Sequence, residues 1–148
     1  MLAWLLLQTE GSVTVLLLRL TLAVVIFPHG AQKVLGWFGG PGFTATLQSF
    51  TSAGIPSVLA LLAIAAEFLG PLGLVLGLLT RLAAFGIACV MLVAIATVHW
   101  TQGFFMNWAG TQPGEGFEYH LLVLGITIAL MILGGGTWSV DRVLADSP

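Results

Sequence analysis

Four apolar segments, residues 12–35, 56–79, 81–100 and 117–133, occupy most of this 148-residue chain. Each reaches or approaches the roughly 20 residues that a helix needs to cross a bilayer. The breaks between them agree with that division. Residues 36–42 with Pro41 end the first segment, Ile55-Pro56 opens the second, and residues 103–116 with Pro113 precede the fourth. The connection at Thr80-Arg81 is so short that the second and third segments form a tight antiparallel hairpin. The expected fold is all-α, a membrane-embedded four-helix bundle forming a single domain over residues 1–148.

Composition supports that environment and removes several function classes. The chain is 58% hydrophobic and 7% charged, with a mean hydropathy of +1.07, where a soluble domain has about 25% charged residues. Its net charge is −2. With no basic patch and no glycine-rich nucleotide fingerprint, nucleic acid is not an expected partner, and neither is a dinucleotide. Cys89 is the only cysteine, so no dithiol exchange runs through this chain alone. Within its apolar segment Cys89 reads as a small buried hydrophobe. The stretch from Met1 to Leu7 is apolar, lacks Lys and Arg, and is followed by Gln8, Thr9 and Glu10. It reads as an interfacial lead-in with Trp4 at headgroup level.

Four spans place both termini and the Arg81 turn on one side of the membrane, with Arg19, Arg81 and Arg142, against Lys33 alone on the other. The positive-inside rule then puts the N- and C-termini in the cytoplasm, and the expected location of this multi-pass chain is a bacterial-type inner membrane. Trp37, Phe38, Phe43, Phe50, Trp100, Phe104, Phe105, Trp108 and Phe117 crowd the two longer loops, which are expected to fold back into the interface as a cap. The Gly73–Gly77 step offers close helix approach, and Pro71 is expected to free a backbone carbonyl and bend the second span near Glu67.

A charge in mid-membrane costs about 2.5–3.5 kcal/mol on insertion scales and is normally paired, protonated or lining a cavity. Glu67 occupies such a position. At 1.5 Å per residue, His29, Gln32 and Lys33 on the first span, His99 at the end of the third, and Glu118, Tyr119 and His120 at the start of the fourth gather toward the same half. Arg19 can either climb to Glu67, making a structural ion pair, or snorkel away. In the second case Glu67 pairs with His29, Lys33 or His99, or stays protonated. His120 reads as a headgroup-level residue facing lipid or loop. His29, His99, Glu67 and Glu118 are conceivable metal ligands, and two histidines conceivable haem ligands, but no close-spaced ligand pair such as His-x-x-x-His selects for a metal.

Aromatic walls, an imidazole donor and a carboxylate that handles protons suit a quinone headgroup, which is an apolar ring bearing two carbonyls. On that reading Glu67 is the proton acceptor and His29 or His99 the headgroup partner. Lys33 balances the reduced anion, with Gln32, Glu118, Tyr119 and Arg19 as further candidate binding residues.

Several stretches together resemble the DoxX family of small four-helix membrane proteins. They are Arg19-Leu20, His29-Gly30-Ala31-Gln32-Lys33 with Gly36-Trp37-Phe38-Gly39-Gly40, Gly54-Ile55-Pro56, Ala66-Glu67 with Gly70, and Thr80-Arg81-Leu82-Ala83-Ala84. Val98-His99, Gly103-Phe104-Phe105, Glu118-Tyr119 and Trp138-Ser139-Val140-Asp141 complete the set. The resemblance implies membrane redox work, as in relatives resembling a subunit of a thiosulfate:quinone oxidoreductase, with a protein partner supplying the redox centre. It carries Arg19, His29, Lys33, Glu67, His99 and Glu118 over as matched positions and leaves His120 outside. Two other classes stand beside the quinone-reactive subunit: a non-catalytic accessory or scaffold subunit of a larger membrane complex, and a small-solute or proton conduit.

Overall fold

The computed structural model describes Leu7, Thr9 and residues 11–146; Trp4 and the rest of the expected lead-in before Leu7 lie outside the described residues. The described chain is all helical in its regular structure. Helix α1 spans Val13–Leu35, α2 Gly42–Ser52, α3 Ser57–Leu76, α4 Thr80–Ala94, α5 Glu118–Leu133 and α6 Val140–Ala145. A π-helical turn, Ile95–His99, and a short 3-10 turn, Trp100–Gln102, extend α4. Among the described residues, α1, α3 and α4 with its extension are long and apolar enough to cross a membrane, and α5 is a shorter apolar helix. Helix α1 packs on α3, α3 on α4, α4 on α5, and α5 returns to α1, closing a ring of four.

One narrow stripe of each helix faces the axis. On α1 it runs through Val15, Arg19, Leu22, Ile26 and Gly30; on α3 through Ala60, Ile64, Glu67, Pro71 and Leu74; on α5 through His120, Val123, Thr127 and Leu130. Steps of three and four keep a stripe on one side of a 3.6-residue helix. The outside is as apolar as the inside, with Val24, Leu62, Leu69, Leu122 and Ile132 each at least 60% exposed, as a lipid-facing surface requires.

The close approach between helices occurs at a different glycine from the one expected. An added Cβ on Gly30 would lie 2.2 Å from the Glu67 carbonyl oxygen and 2.7 Å from Phe68 Cα, so α1 and α3 touch backbone to backbone there. Pro71 is the residue whose missing N–H leaves that Glu67 carbonyl without its helical donor, and α3 nevertheless runs unbroken through Pro71. The Cα hydrogen of Gly30 points at the freed oxygen, a weak but fitting partner. Gly77 instead ends α3 in a left-handed cap at φ 65°, and a Cβ on Gly73 would meet Leu78 and Ala83, its own hairpin. Cys89, expected inside, is exposed on the outer face of α4.

The chain ends of the bundle form one buried cluster. Arg19 is fully buried and donates to the carbonyls of Gly135 (2.6 Å) and Trp138 (3.1 Å). Asp141, in the first turn of α6, accepts from the Leu79 and Thr80 N–H groups at 2.6 and 2.9 Å, capping α4 where its dipole is positive. The Asp141 N–H in turn donates to the Gly77 carbonyl. At the opposite, loop end, Gly30 lies five residues from the end of α1 and Glu67 ten residues from the start of α3. At 1.5 Å per residue α3 therefore projects about 7.5 Å further. Helix α2 packs against both helices beside that step, so much of the first aromatic loop is itself helical. Thr46 on α2 is buried and donates to the Lys33 carbonyl at 3.3 Å.

Candidate functional site

Glu67 finds Lys33. The ammonium and the carboxylate are 2.6 Å apart, with side-chain exposures of 24% and 6%. The pair joins α1 to α3 one turn from the Gly30 crossing, so backbone contact and ion pair hold the same two helices in register. In a low-dielectric interior such attraction is strong, and breaking it leaves a buried charge.

Three elements bring further polar rings toward this pair. His29, one turn before Lys33, lies 6.5 Å from the Tyr119 ring, centroid to centroid. Tyr119 stands edge-on to His120 at 5.4 Å, and His120 lies 4.1 Å from His99. His29 is within electrostatic range of Lys33 and Glu67, Tyr119 of Glu67, and His120 of both His99 and His29. The Tyr119 hydroxyl oxygen and His120 Nδ1 are buried without a hydrogen-bond partner among the described residues. Such atoms cost about 1–3 kcal/mol each, so their retention asks for an explanation.

The remaining candidates are turned elsewhere. Arg19 belongs to the cluster at the chain ends, where Gly135 and Trp138 hold it, and does not pair with Glu67. Gln32 donates to the Phe38 carbonyl at 3.3 Å, and Gly40 lies tight against its backbone, so its amide ties down the first loop. Glu118 accepts from the Met106 N–H (2.8 Å) and the Trp108 indole (3.3 Å), so its carboxylate organises the second loop. Glu115 does the same for the Asn107 N–H at 2.7 Å. His29 is exposed, opening one side of the cluster to the surface. Among the described residues no three His, Cys, Asp or Glu side chains gather to hold a metal.

His120 is the residue that sequence reasoning placed outside the site. It is 6% exposed and packs between His99 and Tyr119. The signal was present, because His120 falls in phase with Val123, Thr127 and Leu130, the buried stripe of α5. A lipid-facing histidine would have been out of phase with that stripe.

The family model described as DoxX matches residues 14–100, more than half of the chain. The chain belongs to the DoxX family. Over 115 residues, 78% of this chain and 76% of the relative, it is 34% identical to a Bacillus subtilis (strain 168) protein named "Putative oxidoreductase CatD". It is also 30% identical to "Inner membrane protein YqjF" of Escherichia coli (strain K12) over 133 residues, 90% of this chain and 93% of the relative. No solved structure matches it. This DoxX protein is a multi-pass protein of the bacterial inner membrane, in contact with the lipid bilayer through its apolar helix faces. The matched residues contain Gly30, Lys33, Glu67 and His99 and stop before Tyr119 and His120.

Proposed function

We propose that this DoxX protein is the membrane subunit of a redox complex and that the Lys33–Glu67 cluster binds a quinone headgroup. The observation that carries the reading is a buried carboxylate, paired with a partly exposed lysine, in electrostatic range of a tyrosine whose hydroxyl has no partner among the described residues. The unpartnered Tyr119 hydroxyl is a hydrogen-bond donor free for a ligand oxygen. The relative named an oxidoreductase agrees with the direction of the proposal.

The residues fit such a headgroup by donor chemistry. A bound quinone supplies an acceptor for two electrons and two protons. The Tyr119 hydroxyl and the His29 imidazole can each donate to a carbonyl oxygen. Glu67 is the group placed to take up a proton, and Lys33 holds its carboxylate in position at 2.6 Å. On this reading electrons come from a protein partner in the complex, and the side that collects Arg19, Arg81 and Arg142 is the cytoplasmic one. The exposed aromatic rim of Trp37, Phe38, Phe105 and Trp108 suits the lipid headgroup region. It is also the surface that a purely accessory subunit would use to dock.

The test is binding of a short-tailed ubiquinone analogue to the purified chain in lipid nanodiscs, read by quenching of tryptophan fluorescence. Saturable binding is expected, weakened at least tenfold in Glu67→Gln and His29→Ala while both variants still insert. Equal affinity in wild type and Glu67→Gln would remove the quinone reading and leave the accessory one.

A further inference from the structure

The quinone reading uses Tyr119 and leaves the two neighbouring imidazoles, His120 and His99, unemployed. We propose that His120 is a proton carrier linking Glu67 to the loop surface through His99 on one side and Tyr119 on the other. The inference rests on the previous reading only in taking Glu67 as the group that receives protons.

Burial, stacking and one hydrogen bond carry the argument. His120 is nine-tenths buried and its Nδ1 has no partner among the described residues, so this ring nitrogen is not committed to a structural hydrogen bond. Its ring is within 4.1 Å of His99, centroid to centroid, at an interplanar angle of 42°. His99 reaches that place because α4 widens to a π-helical turn over Ile95–His99, a feature often found at functional sites. At the far side of His99, Nδ1 lies 2.8 Å from the Glu115 carbonyl oxygen. A carbonyl only accepts, so that nitrogen carries the hydrogen and Nε2 is the basic one. His99 therefore presents a proton-accepting nitrogen in a fixed tautomer at the edge of the second loop.

The transfer balances without any redox partner. A hydronium ion at the loop surface gives a proton to Nε2 of His99 and leaves as water, while Nδ1 keeps its own. The Nε2 proton passes to His120, and His99 returns to its starting form. His120 then protonates the Tyr119 oxygen as the Tyr119 hydroxyl gives its proton to the Glu67 carboxylate. Only N–H and O–H bonds form and break, and a water molecule bridges any gap longer than one hydrogen bond. The titratable groups facing His120 are His99 from the π turn, Tyr119 from its own helix and His29 from α1. Glu115 and Glu118 are occupied with backbone donors of the loop above.

His29, though exposed, lies six residues inside the end of α1, about 9 Å from it. The surface it meets there is flanked by the apolar belt, whereas His99 sits where its helix ends against the loop. This is why the relay is assigned to the His99 side.

The experiment follows protonation of Glu67 by infrared spectroscopy on the full chain in nanodiscs, its carboxyl band assigned by its loss in Glu67→Gln. A photoacid lowers the pH to the midpoint of the Glu67 titration of the same sample. In His120→Asn, which keeps a polar side chain of similar bulk, the band is expected to rise at least tenfold more slowly to the same final amplitude. In His120→Gly, added imidazole is expected to restore the rate. An unchanged rate in His120→Asn overturns the relay, and so does a slowed rate in His120→Gly that imidazole does not recover. No quinone is present, so failure of quinone binding and failure of the relay are read separately.

Discussion

At the chain-end side of the bundle, Arg19 is buried and gives hydrogen bonds to two backbone carbonyls, while Asp141 receives two backbone N–H groups. At the loop side, Lys33 and Glu67 pair with each other, and nearby Tyr119 and His120 keep buried polar atoms without partners. Both regions place charge within a bundle that has only ten charged residues in all. The difference is what the charges hold. Backbone groups of the 77–80 turn and the 135–141 segment cannot leave, so the first cluster is a permanent latch joining α1, the α3–α4 hairpin and the chain that follows α5. The second cluster is built from side chains that can change protonation or accept another molecule without unfolding any turn.

Replacing Arg19 by alanine is the sharpest way to test the latch. It strands the Gly135 and Trp138 carbonyls in a buried site, and two charged hydrogen bonds of about 1.5–3 kcal/mol each disappear. We expect a loss of about 4 kcal/mol or more, seen as a collapse in the yield of folded protein and in the thermal unfolding midpoint in detergent. A mild effect would mean that the chain-end cluster is not a latch.

The loop-side pair answers differently to single and double replacement. Lys33→Met alone leaves a buried carboxylate and is expected to cost about 3 kcal/mol, whereas Lys33→Met with Glu67→Leu is expected to return to within about 1 kcal/mol of wild type. The double variant should fold and yet bind no quinone analogue. Binding that survives in it would erase the functional contrast between the two ends.

Smaller effects sharpen the same contrast. Gly30→Ala forces α1 away from the Glu67 carbonyl and should cost about 1–3 kcal/mol, with quinone affinity falling more than in an equally destabilised variant of the outer face. Glu118→Gln weakens the hold on Met106 and Trp108 by about 1 kcal/mol and should speed proteolytic cleavage within residues 103–117 while the helices stay protected. Cys89→Ala should change stability by no more than about 0.5 kcal/mol. In native membranes Cys89 should react with a lipid-soluble maleimide and not with a charged one.

Much of this was legible along the chain. The apolar segments and their glycine and proline breaks gave helices close to those observed, although α3 stops at Leu76 because Gly77 adopts a left-handed cap. The gathering of His29, Lys33 and Glu67 followed from depth alone. The stripes were also readable: Arg19 repeats with Val15 and Leu22, and His120 with Val123, so both had to face inward. The choice of partner was not readable. Arg19 and Lys33 were both candidates for Glu67, and only the fold shows the 135–138 segment beside Arg19, where its carbonyls hold the guanidinium.

Sequence by itself thus determined that this chain is a membrane helical bundle with an acidic residue at mid-depth, because hydrophobicity and helical period act within one segment at a time. Tertiary structure decided which cation meets Glu67, where two helices touch, and that His120 stands inside. Those depend on how far one helix is slid and rotated against another, a relation between segments that no single segment encodes.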